Sequence, residues 1–235
     1  VILVVIYHVF YMFNGQVTSG VIGPFTPVQY QDVVQYFVYP WFMLLLFVIS
    51  GMSARFYLNG HSDKEFLKSR TTKLLVPSTI GLFVFWWILG YYNMMIGGAF
   101  ENMSAVPKPL LYVIMAVSGI GALWYIQLLW VVSLFLLFIR KIEKDRLYGL
   151  CEKANLPVLL CMTPVIWGAA QILNTPVIVV YRFGIYGVGF LLGYFIFSHD
   201  AVMERLEKWW LPLTLAALGL GIGFVFTFWG EPYAE

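Results

Sequence analysis

Long apolar stretches recur along the chain and are separated by short polar segments. Because an α-helix rises about 1.5 Å per residue, about 20 mainly apolar residues cross the hydrocarbon core of a bilayer. Stretches of about this length occupy Tyr36–Leu58, Leu74–Gly97, Ile120–Ile139, Leu156–Leu173, Val177–Phe197 and Trp209–Trp229. The pattern therefore predicts an all-α fold, a polytopic transmembrane helical bundle.

Two further apolar segments are too short to cross a bilayer alone. Val1–Asn14 covers roughly 20 Å and is interpreted as the second half of a first span. A signal peptide is the alternative, but no small-residue cleavage site follows. Leu110–Ser118 is predicted to be a short interfacial or re-entrant helix on the outer side. The prediction is thus about seven spans, the first incomplete, in one domain covering residues 1–235.

Composition excludes most soluble classes of protein. Of the 235 residues, 61% are hydrophobic and only 11% are charged, whereas soluble domains average roughly 45–50% and about 25%. A cytosolic enzyme, a secreted disulfide scaffold, a disordered regulator and a nucleic-acid binder are all excluded on this basis. Since the chain begins with Val1 and stops at Glu235, we expect a fragment truncated at both ends, with further helices after residue 235.

The basic residues predict the topology. All but two of the 14 lysines and arginines lie in the loops that follow the second, fourth and sixth spans or, for Arg55, in the last turn before such a loop. The positive-inside rule places these alternate loops in the cytoplasm. Asp63 and Asp145 are therefore predicted to be cytoplasmic, while Asp32 and Glu101 are predicted to lie outside.

Two ionisable side chains that carry charge near neutral pH fall inside the predicted spans, His8 and Arg182. The 12 acidic residues all lie in loops or at span ends. Each of the two is six residues from the outer end of its span, which corresponds to a depth of about 9 Å. Tyr11 and Gln127 fall in the same outer half. We predict that the first and sixth spans meet, so that His8 and Arg182 line one polar cavity.

These two residue types suit acid–base chemistry. Histidine is the natural general base near neutral pH, and arginine holds a carboxylate, a phosphate or a developing oxyanion. A proton-coupled transporter normally needs an intramembrane carboxylate, which these spans lack. From the residues alone a second interpretation stays open, in which His8 is simply packed and hydrogen-bonded while Arg182 pairs with carbonyls or lipid.

Short motifs follow one another along nearly the whole chain. They are Val4-Val5-Ile6-Tyr7-His8, Tyr39-Pro40-Trp41-Phe42, Phe47-Val48-Ile49-Ser50-Gly51, the basic segment 66–77, Leu123-Trp124-Tyr125-Ile126 and Phe190-Leu191-Leu192-Gly193-Tyr194. In order and spacing they resemble the integral-membrane acyltransferase 3 family, which moves acyl groups from a coenzyme A thioester to hydroxyls of sugars or other envelope molecules. The run Ser-Gly-Met-Ser-Ala at residues 50–54 is similar to a branch that includes glucan-modifying succinyltransferases.

The resemblance implies a membrane O-acyltransferase that moves an acetyl or succinyl group from acyl-CoA to a hydroxyl of an envelope carbohydrate or similar acceptor. His8 would be the general base. Arg182 would hold an anionic substrate group or steady the oxyanion, with Gln127 and Tyr11 as hydrogen-bonding substrate contacts. The implied location is the bacterial cytoplasmic membrane, acyl-CoA is a co-substrate, and no cofactor is bound tightly.

The basic segment before the third span is expected to meet the donor. Arg70 and Lys73 would suit the phosphates of acyl-CoA, and an anchor for the third span is an equal alternative. The family pattern is Arg-x-x-Arg, so Lys73 keeps the charge and loses the bidentate geometry. Arg55 is interpreted as an anchor. The Ser50-Gly51 step is expected to serve close backbone packing, with the donor path as the alternative.

Other functions stay open at this point. A transporter or flippase of lipid-linked or small organic substrates would use the same cavity without covalent chemistry, and a non-catalytic membrane subunit is a third possibility. Cys151 and Cys161 are interpreted as unpaired. His61 and His199 have no partners at metal-ligand spacing, so no metal site is predicted. Nucleic acid is not an expected partner, and the oligomeric state is open.

Overall fold

The computed structural model describes residues 2–11, 30, 32–172 and 182–231. Within these residues 85% are helical and there is no strand, so the all-α prediction is confirmed. In chain order the helices are α1 (Ile2–Tyr11), α2 (Asp32–Gly60), α3 (Asp63–Ile96), α4 (Lys108–Ser118), α5 (Leu123–Glu143), α6 (Arg146–Cys151), α7 (Leu156–Gln171), α8 (Phe183–Phe197), α9 (Asp200–Glu207) and α10 (Trp210–Phe228).

Four of these helices, α2, α3, α5 and α10, are long and apolar enough to cross a membrane. The pair α8 and α9 passes the same test together and is bent by 94°. Within the described residues the chain therefore has four candidate spans, or five if the bent pair is one span. The protein is a multi-pass membrane protein, and the predicted count of seven is not confirmed.

Helix α3 is longer than predicted because its basic segment is also helical. Ser62 caps its first turn, where the Ser62 hydroxyl accepts from the Glu65 N–H and the Glu65 carboxylate accepts from the Ser62 N–H. This reciprocal capping box starts a helix at a polar sequence. Two π-helical turns, Thr71–Leu75 and Leu82–Trp86, interrupt the α-helical pattern within it.

Two predicted spans do not form the continuous helices that their apolar sequences suggested. The segment predicted as Leu156–Leu173 forms α7, which ends at Gln171 and contains a turn at Cys161. The segment predicted as Val177–Phe197 is helical only from Phe183 within the described residues. Apolar composition alone therefore did not show the turn at Cys161 or the non-helical residue that precedes α8.

The structure divides into two compact units: Val1–Leu46 with Leu206–Glu235, and Phe47–Arg205. We call them the terminal unit and the central unit. In the terminal unit the Tyr36 hydroxyl donates to the carbonyl of Glu231 at 2.7 Å and accepts from the N–H of Gly230 at 3.1 Å. These bonds connect α2 to the segment after α10.

In the central unit α2 and α8 pack at backbone contact. A Cβ on Gly51 would overlap the carbonyl oxygen of Phe190, and one on Gly193 would overlap that of Val48. Glycine at both positions is thus required by the close approach of the two helices. At Gly219 and Gly223, in contrast, nothing in the described structure lies within 4 Å of an added Cβ.

Helix α4 packs tightly against α3 in the central unit. A Cβ on Gly90 would overlap the carbonyl of Met115, and the Tyr112 hydroxyl donates to the carbonyl of Phe83. At 11 residues α4 is too short to cross a bilayer alone. This agrees with the prediction of a short accessory helix, while its interfacial or re-entrant position stays a prediction.

The three basic loops lie on one face of the central unit. Arg55 pairs with Asp145 at 2.6 Å, and Arg140 pairs with Asp63. Arg205 donates to the carbonyl oxygens of Glu152 and Ala154, each at 2.7 Å. Loops that contact one another cannot lie on opposite sides of a bilayer, so the positive-inside pattern groups them correctly. That this face is cytoplasmic stays a prediction.

Single cysteines test that assignment in a chain whose own two cysteines are replaced by serine. Glu101→Cys should react with an impermeant maleimide in intact cells, while Lys144→Cys should react only after permeabilisation, since both sites are exposed. Asp32 is unsuitable because its side chain is fully buried. Labelling of Lys144→Cys in intact cells would mean that the face formed by the three basic loops lies outside the cell.

Candidate functional site

His8 lies on the exposed side of α1, in the terminal unit. Its Nδ1 is 2.7 Å from the carbonyl oxygen of Val4, one turn earlier. A carbonyl oxygen only accepts, so Nδ1 carries the proton in this bond. In the neutral ring Nε2 then keeps its lone pair. The geometry leaves Nε2 able to accept a proton from another molecule.

The helix that carries His8 is held by its neighbour α2. The Gln35 side chain, fully buried, donates to the carbonyl of Tyr7 at 2.7 Å. The ring of Tyr7 is buried against Phe42, with 4.6 Å between ring centroids, and meets the His8 ring edge-on at 5.4 Å. These contacts fix the turn on which His8 sits. Sequence analysis did not single out Gln35, because a polar residue near a span end is usually solvated.

The structure does not test the other two predicted substrate contacts, Tyr11 and Gln127. Tyr11 is the last residue of α1, and its side chain lies outside the described residues. Gln127 is half-buried in the second turn of α5, in the central unit. Its role as a substrate contact stays a prediction.

Arg182 is not inside a helix, so its predicted environment was wrong. It directly precedes α8, with φ −87° and ψ 73°, and its side chain is half-buried. A depth counted along a continuous helix from residue 176 therefore does not apply, and residues 173–181 lie outside the described residues. His8 and Arg182 belong to different units, and their shared cavity stays a prediction.

Arg70 and Lys73 differ in their surroundings although only three residues separate them. The Arg70 guanidinium lies 5.0 Å from the centroid of the Phe66 ring and interacts electrostatically with Tyr57 and Tyr125. It is half-buried and forms no ion pair within the described residues. Lys73 is exposed, on a π-helical turn. A half-buried cation without a carboxylate partner suits an anionic ligand.

Ser50 and Tyr125 form a polar contact that the sequence did not predict. The Ser50 Oγ and the Tyr125 Oη are 3.0 Å apart, between the half-buried faces of α2 and α5. The available signal was the hydroxyl of Tyr125, which stands where the acyltransferase motif has phenylalanine. The Tyr125 hydroxyl also interacts electrostatically with Arg70, so the Ser50–Tyr125 pair and Arg70 form one polar group in the central unit.

Arg55 is the centre of a second network, at the basic face. Besides its ion pair with Asp145, it donates to the Tyr194 hydroxyl at 3.1 Å and stacks over the Tyr148 ring at 3.5 Å. His199, which is buried, stacks on the same ring at 3.9 Å. These contacts join α2 to α6 and α8, and the interpretation of Arg55 as an anchor stays a prediction.

Cys151 does not suit the role of a catalytic nucleophile. Burial raises the pKa of the Cys151 thiol, and the neighbouring Glu143 carboxylate raises it further. A thiol with a raised pKa is a poor nucleophile near neutral pH. No group of three or more metal-ligating side chains occurs in the described part of the chain.

Together these features define a class: a multi-pass helical membrane protein with an accessible histidine and a half-buried cation. A family model described as an acyltransferase domain, Acyl_transf_3, matches residues 1–234. The chain therefore belongs to the acyltransferase 3 family and is an acyltransferase. No curated protein and no solved structure matches it.

Proposed function

We propose that the protein is an acyl-CoA-dependent O-acyltransferase of a bacterial cytoplasmic membrane. It moves an acetyl or succinyl group to a hydroxyl of an envelope carbohydrate or similar acceptor. The observation that carries the proposal is the bond from His8 Nδ1 to the Val4 carbonyl, because it leaves Nε2 as the proton acceptor. Membership of the acyltransferase family supplies the type of reaction.

In the proposed reaction His8 removes the proton from the acceptor hydroxyl. A hydroxyl is a weak nucleophile at its own pKa, whereas a thioester is already activated, so base assistance belongs on the acceptor side. The acceptor oxygen bonds to the acyl carbon, the carbon–sulfur bond breaks, and the coenzyme A thiolate leaves and is protonated. Arg182 holds an anionic substrate group or the oxyanion, and Gln127 and Tyr11 supply hydrogen bonds.

We assign Arg70 and Lys73 to the phosphates of acyl-CoA. The support is the half-buried position of Arg70 without an ion pair in the described structure. Lys73, exposed on the following turn, adds charge. Arg70 is expected to contribute more because a guanidinium binds a phosphate in bidentate fashion, and because partial burial strengthens the interaction.

Alanine substitutions separate this role from a simple membrane anchor. Arg70→Ala should raise the KM for acyl-CoA at least about 10-fold, since a hydrogen bond to a charged group contributes about 1.5–3 kcal/mol. Lys73→Ala should raise it less. Lys68→Ala, which removes an exposed charge from the same helix, is the matched control and should leave KM unchanged. Equal effects in all three variants would favour the anchor.

A further inference from the structure

The Ser50–Tyr125 pair has one hydroxyl proton more than it uses. The two side chains carry two protons, and the bond between Oγ and Oη, at 3.0 Å, consumes one. Within the described residues this is the only hydrogen bond of either side chain. The second proton is therefore available to an acceptor that is not part of the described protein. In an apolar interior, an unused donor favours a ligand that carries an acceptor.

The surroundings of the pair are aromatic. The Tyr125 ring meets the buried Phe47 ring edge-on, with centroids 5.0 Å apart, and Phe47 stacks on Tyr186 at 4.8 Å. The centroid of the Trp124 ring is 5.3 Å from that of Tyr186 and 6.3 Å from that of Tyr125. Ligand sites combine such apolar walls with a few converging polar groups. The thioester carbonyl of a short acyl group fits this combination.

The charge nearby indicates what is attached to that carbonyl. Tyr125 interacts electrostatically with Arg70, which has no ion pair in the described part of the chain. A molecule with a carbonyl acceptor at one position and anionic groups at another would satisfy both. Among the reactants of an acyltransferase, acyl-CoA has this chemistry. The assignment of a ligand to this pair therefore rests on the proposed function, in which acyl-CoA is the acyl donor.

We propose that the Ser50–Tyr125 pair donates a hydrogen bond to the thioester carbonyl oxygen of acyl-CoA. In the reaction that oxygen takes the negative charge as the acceptor hydroxyl adds to the acyl carbon. It returns the charge when the carbon–sulfur bond breaks and coenzyme A leaves. The pair would thus position the donor and stabilise the oxyanion. In this pair Tyr125 donates the hydrogen bond to the thioester carbonyl, and Ser50 orients the Tyr125 hydroxyl.

Two unreactive donor analogues test the contact in the full chain in nanodiscs. The first is acetyl-CoA with its sulfur replaced by methylene, and the second has the carbonyl replaced by methylene as well. One neutral hydrogen bond corresponds to about a 2- to 12-fold preference for the first analogue in the wild type. Tyr125→Phe should reduce the ratio of the two dissociation constants to about one. Ser50→Ala should shift that ratio in the same direction.

Tyr112→Phe is the matched control, because it also removes a tyrosine hydroxyl that bonds between helices of the central unit. It should leave the ratio at the wild-type value. An unchanged ratio in Tyr125→Phe, or equal binding of both analogues by the wild type, would overturn the inference and leave the acyl-CoA donor standing. A wild-type protein that binds neither analogue would instead overturn the donor itself.

Discussion

Replacing His8 with glutamine is expected to lower the rate of acyl transfer by about 10²–10⁴-fold, the usual contribution of a general base. Glutamine has a similar size and forms hydrogen bonds, but it does not take a proton from a hydroxyl near neutral pH. The His8 side chain is exposed and bonds only within its own helix in the described structure. Its loss should therefore leave folding and membrane insertion nearly intact, which size-exclusion and labelling experiments would show.

The chain contains a matched control for this substitution. The Nδ1 of His61 also lies close to the carbonyl oxygen four residues earlier, that of Tyr57, at 3.0 Å, and the His61 side chain is also exposed. His61→Gln should leave the transfer rate near the wild-type value. If His8→Gln is inserted normally and retains the wild-type rate, His8 is not the base.

Replacing Gly193 with alanine is expected to cause a large loss of stability. The added Cβ would overlap the Val48 carbonyl oxygen, which is backbone and cannot rotate away. Overpacking typically costs about 1–3 kcal/mol, and a clash with backbone belongs at or above the upper end. We expect a lowered unfolding temperature in detergent and a reduced yield of folded protein.

Gly187 provides the comparison within the same helix. Among the described residues, nothing lies within 4 Å of a Cβ placed there. Gly187→Ala should be neutral or stabilising by about 0.5–1 kcal/mol, because alanine is the better helix former. If both variants unfold at the same temperature, the close packing of α2 against α8 contributes little to stability.

The sequence predicted the helices well where an apolar run and its boundaries agree. Tyr36–Leu58 lies within α2, and Trp209–Trp229 matches α10 to within one residue at each end. The start of α3 was missed because Ser62 and Glu65 form a capping box in a charged segment, where hydropathy gives no signal. A hydropathy pattern does not detect helix caps or helix breaks such as the turn at Cys161.

The candidate site was predicted in part. A histidine or arginine within an apolar run stands out because burying a charge is costly, and this rule singled out His8 and Arg182. It does not detect pairs of uncharged hydroxyls such as Ser50 and Tyr125, which come from helices distant in the chain. Nor does it detect the break at Arg182, since apolar residues follow and precede it without a glycine or proline signal at that position.

The most direct measurement of the central claim is the transfer of label from radioactive acetyl-CoA or succinyl-CoA to envelope carbohydrate. Membrane vesicles containing the full-length wild-type protein or His8→Gln would receive the donor on the basic-loop face. The account predicts label that mild alkali releases, as expected of an ester, in the wild type and almost none in His8→Gln. Equal labelling of both, or none in the wild type with either donor, would contradict it.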